Sequence, residues 1–595
     1  MKHIGLLLLG VFFFNGAFAD DTIRYHVSFP NAVHHEANIE LKLAWRSERP
    51  LLLNMAQSSP GRYAIHNFAK NIYKLRAEDT TGKKLNIQRT DINQWKINNA
   101  KGDVKISYTL WGNTADGTYA GINANQAMLN IPASFIYVPG LKVNPIKVHY
   151  QLPKGWQVAT QMPKIGDSYY APNLNYFMDS PTLLGKLDII EWQIDQDGNP
   201  INFRFAIHHL NDSAYINSYI EWTKAIVKEQ QKVYGEFPAF DFGTYTFIAN
   251  YAPYARGDGM EHRNSTILSS NGSIFANGRK LISTLSHEFF HAWNVERLRP
   301  ASLQPFLYDK ANMSSALWFG EGFTSYYTDL ILCRSGIIDR ESYLSELSYM
   351  INTVLTSAGP LFHSPIEMSQ MAPFVDAAVH SDATSLYNTY TSYYTYGAAI
   401  ALALDLQLRN QFEVSLDDYM QRLWINFGKS EIPYTISDLQ NTLAMISDRK
   451  FADDFFKNHI FSSSIPDYKM LLAPMGIDVK PAFGPQLFLS ERRLTIANDG
   501  IYIQHYPEAH SPLYKAGIDK GDLITRINNE EIINHQQIEE MLIPLSVGDS
   551  IPITYQQLGQ IKEGFIKPTT RRNITLTFFS EAENQEKLNK WLSDN

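Results

Sequence analysis

Two histidines and a glutamate in the run His287-Glu288-Phe289-Phe290-His291 have the types and the spacing of a catalytic metal motif. Residues four apart on a helix lie one above the other, so His287 and His291 can reach the same metal ion. Glu288, between them, can take a proton from a water molecule that the metal activates. The run therefore predicts a hydrolytic zinc site with Glu288 as general base.

The sequence around this motif predicts the helix that positions it. Apolar residues recur there at helical spacing: Leu281, Leu285, Phe289 and Ala292. We expect a helix from Lys280 to Asn294 that buries this face and leaves the two histidines on another.

A catalytic zinc needs a third protein ligand, and Glu321 is the candidate. It lies in a second predicted amphipathic helix, from about Ser315 to Ile331, between Gly320 and Gly322. Glycine lets another backbone or a substrate approach closely. Spacing alone leaves open that Glu321 is an exposed residue in a capping turn.

The run Gly259-Met260-Glu261-His262 brings a further acid ahead of the motif helix. On the rim of the active site, the Glu261 carboxylate can hold the α-ammonium of a peptide, which restricts cleavage to free N-termini. A turn and a strand with one exposed acid explain the same residues.

Tyrosines cluster around and ahead of Gly397: Tyr387, Tyr390, Tyr393, Tyr394 and Tyr396. A tyrosine hydroxyl near the metal can donate a hydrogen bond to the oxyanion of a tetrahedral intermediate. Most members of such a cluster are packing residues, so the pattern leaves open which one takes this role.

The remaining sequence predicts a multidomain α+β protein. Alternating apolar and polar residues, as in 39–45 and 104–111, predict an N-terminal antiparallel β domain over residues 20–201. Residues 202–335 mix strands and helices around the metal motif, and helical patterns fill 336–480. Short strands return over 481–595.

The first residues resemble an export signal. An apolar run from Ile4 to Phe14 precedes Ala17-Phe18-Ala19, so residues 1–19 are expected to be removed before Asp20. An uncleaved anchor is the alternative, although the apolar run is short for a membrane span. We expect an exported protein, periplasmic or extracellular.

Composition excludes some classes of partner. The net charge is −8 and no basic domain stands out, which argues against nucleic acid. No later stretch is apolar and long enough to make an integral membrane protein. Cys333 is the single cysteine and lies in an apolar run, so burial is favoured over a reactive thiol.

Taken together, these residues resemble the glycyl aminopeptidase family of zinc metallopeptidases, gluzincins related to aminopeptidase N. The resemblance covers nearly the whole mature chain. It implies an N-terminal antiparallel β domain, a thermolysin-like α/β catalytic domain, an α-helical domain that completes the cleft, and a C-terminal PDZ β domain.

By position, the resemblance implies one Zn²⁺ per chain, held by His287, His291 and Glu321, with Glu288 as general base. The gap from His291 to Glu321 is longer than in aminopeptidase N relatives, as it is in the glycyl aminopeptidases. The extra length carries two arginines that either line the cleft or form structural ion pairs: Arg297 and Arg299.

The resemblance also implies the substrate contacts. Gly259, Met260 and Glu261 match the amine-recognition motif of related aminopeptidases, so Glu261 is expected to bind the substrate N-terminus. Tyr394 looks like the oxyanion-stabilising tyrosine, and Tyr393 is the competing choice.

Residues 511–524 resemble the S-P-A-x-x-A-G-L-x-x-G-D-x-I pattern of bacterial PDZ domains. Such domains add an extended C-terminal peptide as a strand beside a helix, here expected from about His535 to Leu542. A domain that packs on the catalytic region and binds no peptide is the alternative.

The residues and the resemblance together predict a secreted zinc aminopeptidase that acts on peptides with a free N-terminus, and the family name implies that it removes small residues, Gly or Ala. A zinc endopeptidase is one alternative, against which Glu261 argues. A PDZ-mediated peptide-binding protein with a vestigial metal site is the other, and the intact motif argues against it.

Overall fold

The computed structural model describes residues 21–210, 213–375, 382–490, 494–497, 499–579 and 585–592. The predicted signal peptide and its cleavage point before Asp20 lie outside these residues. In the part of the chain that is described, no helix is both long and apolar enough to cross a membrane.

The N-terminal domain is built from short and medium strands. These are β1 (Ile23–Asn31), β2 (Glu36–Trp45), β3 (Leu51–Asn54), β4 (Ile72–Asp79), β5 (Lys84–Leu85), β6 (Ile87–Asp91), β7 (Gln94–Ile97), β8 (Gly102–Trp111), β9 (Ala120–Ile122), β10 (Gln126–Leu129), β11 (Ile146–Gln151), β12 (Gln157–Ala159), β13 (Lys164–Ile165), β14 (Ser168–Ala171) and β15 (Thr182–Gly185), with helices α1 (Ile131–Ser134) and α2 (Leu174–Met178).

These strands form one large sheet, in the order β13–β14–β11–β1–β2–β8–β4–β5, and two smaller ones, β12–β15–β10–β9 and β3–β7–β6. Burial alternates along β2, as its alternating sequence predicts. Neighbours in the large sheet are antiparallel within the described residues, apart from β1 and β11, which pair in parallel. The expected purely antiparallel domain therefore needs this correction, because a long connection rather than a hairpin brings β11 beside β1.

The catalytic region follows as β16 (Asp188–Gln196), β17 (Asn199–His209), α3 (Ile216–Tyr234), β18 (Thr244–Tyr251), β19 (Asp258–His262), β20 (Ser265–Ser270), α4 (Ile274–Phe290) and α5 (Leu317–Arg334). Its sheet has the order β16–β17–β18–β20–β19, so β19 is an edge strand. The predicted boundary at residue 201 falls inside β17. The transition lies before Asp188, because β16 and β17 form a hairpin that continues into β18.

The helical region contains α6 (Arg340–Thr356), α7 (Pro365–Gln370), α8 (Ala372–Val375), α9 (Leu386–Thr389), α10 (Tyr393–Gln411), α11 (Leu416–Leu423), α12 (Ile436–Ile446), α13 (Arg449–Phe455) and α14 (Tyr468–Leu472). It shares one apolar core with the catalytic region. Helix α5 lies in this core and is buried on almost every side, so the predicted amphipathic helix is a central one. Cys333, near its end, is buried as predicted, and burial raises the pKa of its thiol to about 11.

The C-terminal region contains β21 (Ile477–Pro481), β22 (Leu487–Phe488), β23 (Thr495–Ala497), β24 (Gly500–Tyr502), α15 (Pro512–Lys515), β25 (Leu523–Ile527), β26 (Glu530–Glu531), α16 (His535–Leu542), β27 (Ile551–Gln557), β28 (Gln560–Ile566), β29 (Thr569–Thr570), β30 (Ile574–Phe578) and α17 (Gln585–Leu592). Most of these elements surround a separate apolar core. Strand β21 pairs with β30, and the buried Ile477 and Leu576 of this pair lie in the core shared by the catalytic and helical regions, not in the separate one. Helix α17 packs instead on the catalytic core, where the indole of Trp591 is fully buried and donates to the hydroxyl of Tyr326.

Candidate metal centre

Three side chains from α4 and α5 converge on one point. Nε2 of His291 lies 3.2 Å from Nε2 of His287 and 3.2 Å from Oε2 of Glu321, and the remaining separation, from His287 to Glu321, is 3.6 Å. Tetrahedral ligands at about 2.1 Å from a zinc ion lie about 3.4 Å apart. The predicted ligand set therefore has the spacing that a single zinc ion requires.

Hydrogen bonds fix both imidazoles with Nε2 toward this point. Nδ1 of His291 lies 2.9 Å from the carbonyl oxygen of Asn294, which can only accept. Nδ1 of His287 lies 3.1 Å from Oγ1 of Thr328, whose own proton goes to the carbonyl of Thr324. Each Nδ1 therefore donates, and each Nε2 keeps a lone pair for a metal.

The turn after α4 supplies the partner of His291. The helix ends at Phe290, earlier than the predicted Asn294, and His291 keeps helical backbone angles as its cap. The chain then turns back through Val295, whose φ of 86° is rare for a β-branched residue. This early end lets the Asn294 carbonyl reach His291, while the Asn294 amide donates to the carbonyl of Gly320 on the neighbouring helix.

Edge strand β19 lies against the metal motif. A Cβ atom on Gly259 would collide with the carboxylate of Glu288, so glycine is required for this approach. Carboxylate oxygens of Glu261 and Glu288 and a ring nitrogen of His291 lie within 4.8 Å of one another. Met260 is fully buried, and Glu261 is 5% exposed. Glu261 thus lies inside the site rather than on its rim.

The convergence of buried carboxylates gives the centre an affinity for positive charge. Burial, with the charges of Glu321 and Glu296 acting in the same direction, raises the pKa of Glu261 to about 7. Burial and the neighbouring Glu261 also raise the pKa of Glu288 well above its usual value. Against the effect of burial, positive charge at His291, whose place a metal ion bound at Nε2 would take, holds the pKa of Glu321 far below its usual range. A metal cation and a substrate ammonium are the charges that such a cluster is suited to bind.

The two candidate tyrosines at the start of α10 differ in environment. Tyr394 is half-buried, and its ring centroid lies 6.0 Å from that of His287. Tyr393 is 1% exposed and packs against Tyr63 of the N-terminal domain. Of the other predicted cluster members, Tyr396 is buried in the shared core and Tyr387 is 44% exposed, stacked on a ring of the C-terminal region.

Helices α5 and α10 cross at a contact between two glycines. A Cβ on Gly322 would collide with the backbone of Gly397, and one on Gly397 would collide with the carbonyl of Trp318. The sequence predicted that glycine beside Glu321 allows another group to approach closely, and the group that approaches Gly322 is the backbone of α10. The contact holds the ligand Glu321 and the tyrosines at the start of α10 in one place.

A loop of the N-terminal domain closes over β19, and the sequence did not reveal it. Arg62 forms an ion pair with Asp258 and donates to the carbonyl of Gly259. Gly61 has a φ of 72°, and a Cβ there would lie 2.9 Å from both carboxylate oxygens of Glu261. Pro60-Gly61 signals a turn, but no local pattern connects that turn with a motif about 200 residues later.

The two arginines in the long gap before Glu321 are structural in different ways. Arg297 is 3% exposed, and its guanidinium donates to three backbone carbonyls and to the side chain of Asn264. Arg299 pairs with Glu296 at 3.0 Å. Both line a cavity of about 490 Å³ between the N-terminal domain and the catalytic region.

Two family models match parts of the chain. Residues 24–186 match the model of the Peptidase M61 N-terminal domain, and residues 280–400 match that of the M61 glycyl aminopeptidase. No curated protein matches the chain.

A solved structure has a similar fold. An aminopeptidase N family protein from Idiomarina loihiensis is 25% identical, with a TM-score of 0.80 over 96% of this chain and 100% of that one. The M1 zinc metallopeptidase from Deinococcus radiodurans is 12% identical, with a TM-score of 0.48 over 75% and 95%.

Proposed function

We propose that this zinc aminopeptidase, in which residues 24–186 and 280–400 match the M61 family models, removes small residues, Gly or Ala, from peptides with a free N-terminus. One zinc ion would be held by His287, His291 and Glu321. The observation that carries the proposal is the position of Glu261, buried within 4.8 Å of Glu288 and His291.

Glu261 determines which peptide bond reaches the metal ligands. In a peptide, two bonds separate the terminal ammonium from the first carbonyl carbon. An ammonium held by the Glu261 carboxylate therefore brings the first carbonyl beside Glu288, and no residue can precede it. An endopeptidase has no use for a buried acid at this point.

When bound at the three ligands, zinc would supply Lewis acidity, which would acidify a water molecule and polarise the scissile carbonyl. Glu288 then acts as general base: one carboxylate oxygen takes the proton of the attacking water and later delivers it to the leaving amine nitrogen. Glu261 holds the ammonium throughout and fixes the first residue in place.

We assign stabilisation of the oxyanion to Tyr394. Its half-buried ring lies beside the ligand His287, so its hydroxyl can donate to the tetrahedral oxygen. Tyr393 is enclosed by apolar and aromatic neighbours, which favours a packing role for it.

The preference for a small first residue is supported by the loop above Glu261. Gly61 approaches both Glu261 and the side chain of Met260 closely, so the space beside the bound ammonium is bounded by backbone. The printed name of the matching family, a glycyl aminopeptidase, agrees with this preference.

The experiment compares one Ala-initiated peptide in two forms, free and N-acetylated, with zinc-loaded wild type and Glu261→Gln. We expect the wild type to cleave only the free form. Glu261→Gln should lose about 10–100-fold in kcat/KM on the free form, since a charge-assisted hydrogen bond contributes about 1.5–3 kcal/mol. Peptides beginning with Gly, Leu and Phe then test the size preference.

Two results would overturn the proposal. Equal cleavage of both forms by the wild type would point to an endopeptidase. No cleavage of either form by zinc-loaded protein would point to a peptide-binding protein with a vestigial metal site.

We further propose that the enzyme is exported and that its C-terminal region is a PDZ module. The supports are the apolar leader with Ala17-Phe18-Ala19 and the resemblance of residues 511–524, with α16 at the expected place. Mass spectrometry of the native N-terminus tests export, which requires a start at Asp20. Fluorescence anisotropy with an apolar peptide tests the PDZ: a free C-terminal carboxylate should bind and its amide should not, whereas binding of neither contradicts the module.

A further inference from the structure

A tyrosine of the N-terminal domain contacts a metal ligand. The hydroxyl of Tyr63 donates to Oε1 of Glu321 at 2.7 Å, and the side chain is 1% exposed. The other carboxylate oxygen, Oε2, lies nearest Nε2 of His291 and of His287. Oε1 of Glu321 therefore accepts a hydrogen bond from the hydroxyl, while Oε2 faces the metal position.

The loop that carries Tyr63 is held at both of its ends. Backbone N–H groups of Gln57 and Ser58 donate to the carbonyl of Tyr308, at 2.7 and 3.1 Å. At the other end, Arg62 is tied to Asp258 and Gly259 on β19. The hydroxyl of Tyr63 is therefore delivered to Glu321 by a fixed backbone.

Tyr308 lies in the long gap between the second histidine and Glu321. Its ring packs in the apolar core of the N-terminal domain, together with Phe306. The extra length that separates this chain from aminopeptidase N relatives therefore supports the loop that carries Tyr63.

The three ligands differ in where their outer hydrogen bonds originate. The partners of the two histidines, Thr328 and Asn294, lie on α5 and in the turn after α4. The partner of Glu321 comes from a residue 258 positions earlier in the chain. Such outer hydrogen bonds orient ligands, and their loss weakens metal affinity by about 10–100-fold.

We propose that Tyr63 is a positioning residue of the metal centre, which fixes Glu321 as a ligand through one oxygen and makes the N-terminal domain part of the zinc site. The inference rests on the ligand set proposed above. Without this hydroxyl, the buried Oε1 loses its donor and the carboxylate gains freedom to rotate about its last bond.

The test measures zinc affinity by chelator competition in the full-length protein, for wild type, Tyr63→Phe and the control Tyr326→Phe. Tyr326 is the control because its buried hydroxyl also donates to a carboxylate, that of Asp405 at 2.6 Å, which is not one of the three ligands; it also accepts from the indole of Trp591. We expect Tyr63→Phe to bind zinc about 10–100-fold more weakly and Tyr326→Phe to bind it like the wild type. The absorption spectrum of the cobalt-substituted protein should change in Tyr63→Phe alone.

Several results would overturn the inference. Zinc affinity within twofold of wild type in Tyr63→Phe, or an equal loss in both variants, would reduce Tyr63 to a packing residue. A wild type that binds no zinc would instead refute the ligand set, and the inference with it. If Tyr63→Phe does not fold, Arg62→Gln loosens the same loop; it should weaken zinc several-fold, and an unchanged affinity would contradict the proposal.

Discussion

The metal centre has two halves that are built by different means. The helix half consists of α4 and α5, which bring His287, Glu288, His291 and Glu321 together. The cover half consists of β19 and the N-terminal loop, which bring Glu261 and Arg62 over them. The helix half is held by apolar packing and a contact between glycine backbones, whereas ion pairs and hydrogen bonds between domains hold the cover half.

This difference separates the consequences of substitution. Changes in the helix half should affect the chemical step and the free energy of unfolding, because the same packed core carries the ligands. Changes in the cover half should affect substrate selection and pH dependence, because charged groups between two domains dominate it.

The largest effect is expected for Glu288→Gln, which keeps the shape of the side chain but cannot accept the proton of the attacking water. We expect kcat to fall about 10²–10⁴-fold, the usual contribution of a general base. Zinc content should stay at one per chain, because Glu288 is not among the ligands. Initial rates on a free Ala-peptide and metal analysis of the same sample measure both quantities.

Glu261→Gln is the matched substitution in the cover half and sharpens this comparison. Glu261→Gln should mainly reduce the preference for free over N-acetylated peptides. Glu288→Gln should instead lower the rate on every substrate by the same factor. Wild-type rates in Glu288→Gln, or loss of its zinc, would remove the distinction between the two halves.

The motif helix of the helix half could be predicted from the sequence because its information is local, whereas Glu321 was assigned through the family resemblance. The spacing of His287 and His291 determines a shared helix face, and the apolar positions Leu281 and Leu285 determine the buried one. The helix and its burial were predicted and are confirmed, although it starts at Ile274 rather than Lys280 and ends four residues earlier than expected. Periodicity does not report such an end, because the turn through Val295 depends on contacts with α5.

The cover half could not be predicted because its contacts join distant parts of the chain. Glu261 was singled out, but its burial depends on Gly61, which precedes it by 200 residues. Tyr63 and Arg62 carried no signal of their own beyond a turn pattern. A single sequence gives no measure of which loops face one another across domains.

Gly322→Ala tests whether the helix half depends on the crossing of α5 and α10. The added methyl group would collide with backbone rather than with a flexible side chain, so the helices must separate. We expect a loss of about 2–3 kcal/mol in the free energy of unfolding and a lower kcat, since Glu321 and Tyr394 move apart. Urea denaturation measures the first quantity. Gly257→Ala is the control, because its Cβ would meet open space, and equal stabilities of both variants would contradict this role.

The smallest effect is expected beside the cover half, at Asp116 of the N-terminal domain, whose carboxylate accepts from the backbone N–H groups of Thr118 and Tyr119. Burial, and then the charge of Asp258, raises the pKa of Asp116 from 3.8 to about 6. Between pH 4 and pH 6 the folded chain therefore keeps a proton that the unfolded chain has lost, so stability falls as pH rises through this window. Asp116→Asn cannot ionise and should be more stable than wild type above pH 6, but not at pH 4. A pKa shift of about two units corresponds to a change of at most about 3 kcal/mol in the free energy of unfolding. We expect about 1–2 kcal/mol, which lies within this limit. Urea denaturation at several pH values measures the difference, with the exposed Asp103→Asn as control. If Asp116→Asn and wild type differ in unfolding free energy by the same amount at pH 4 and pH 7, ionisation of Asp116 does not cause the difference.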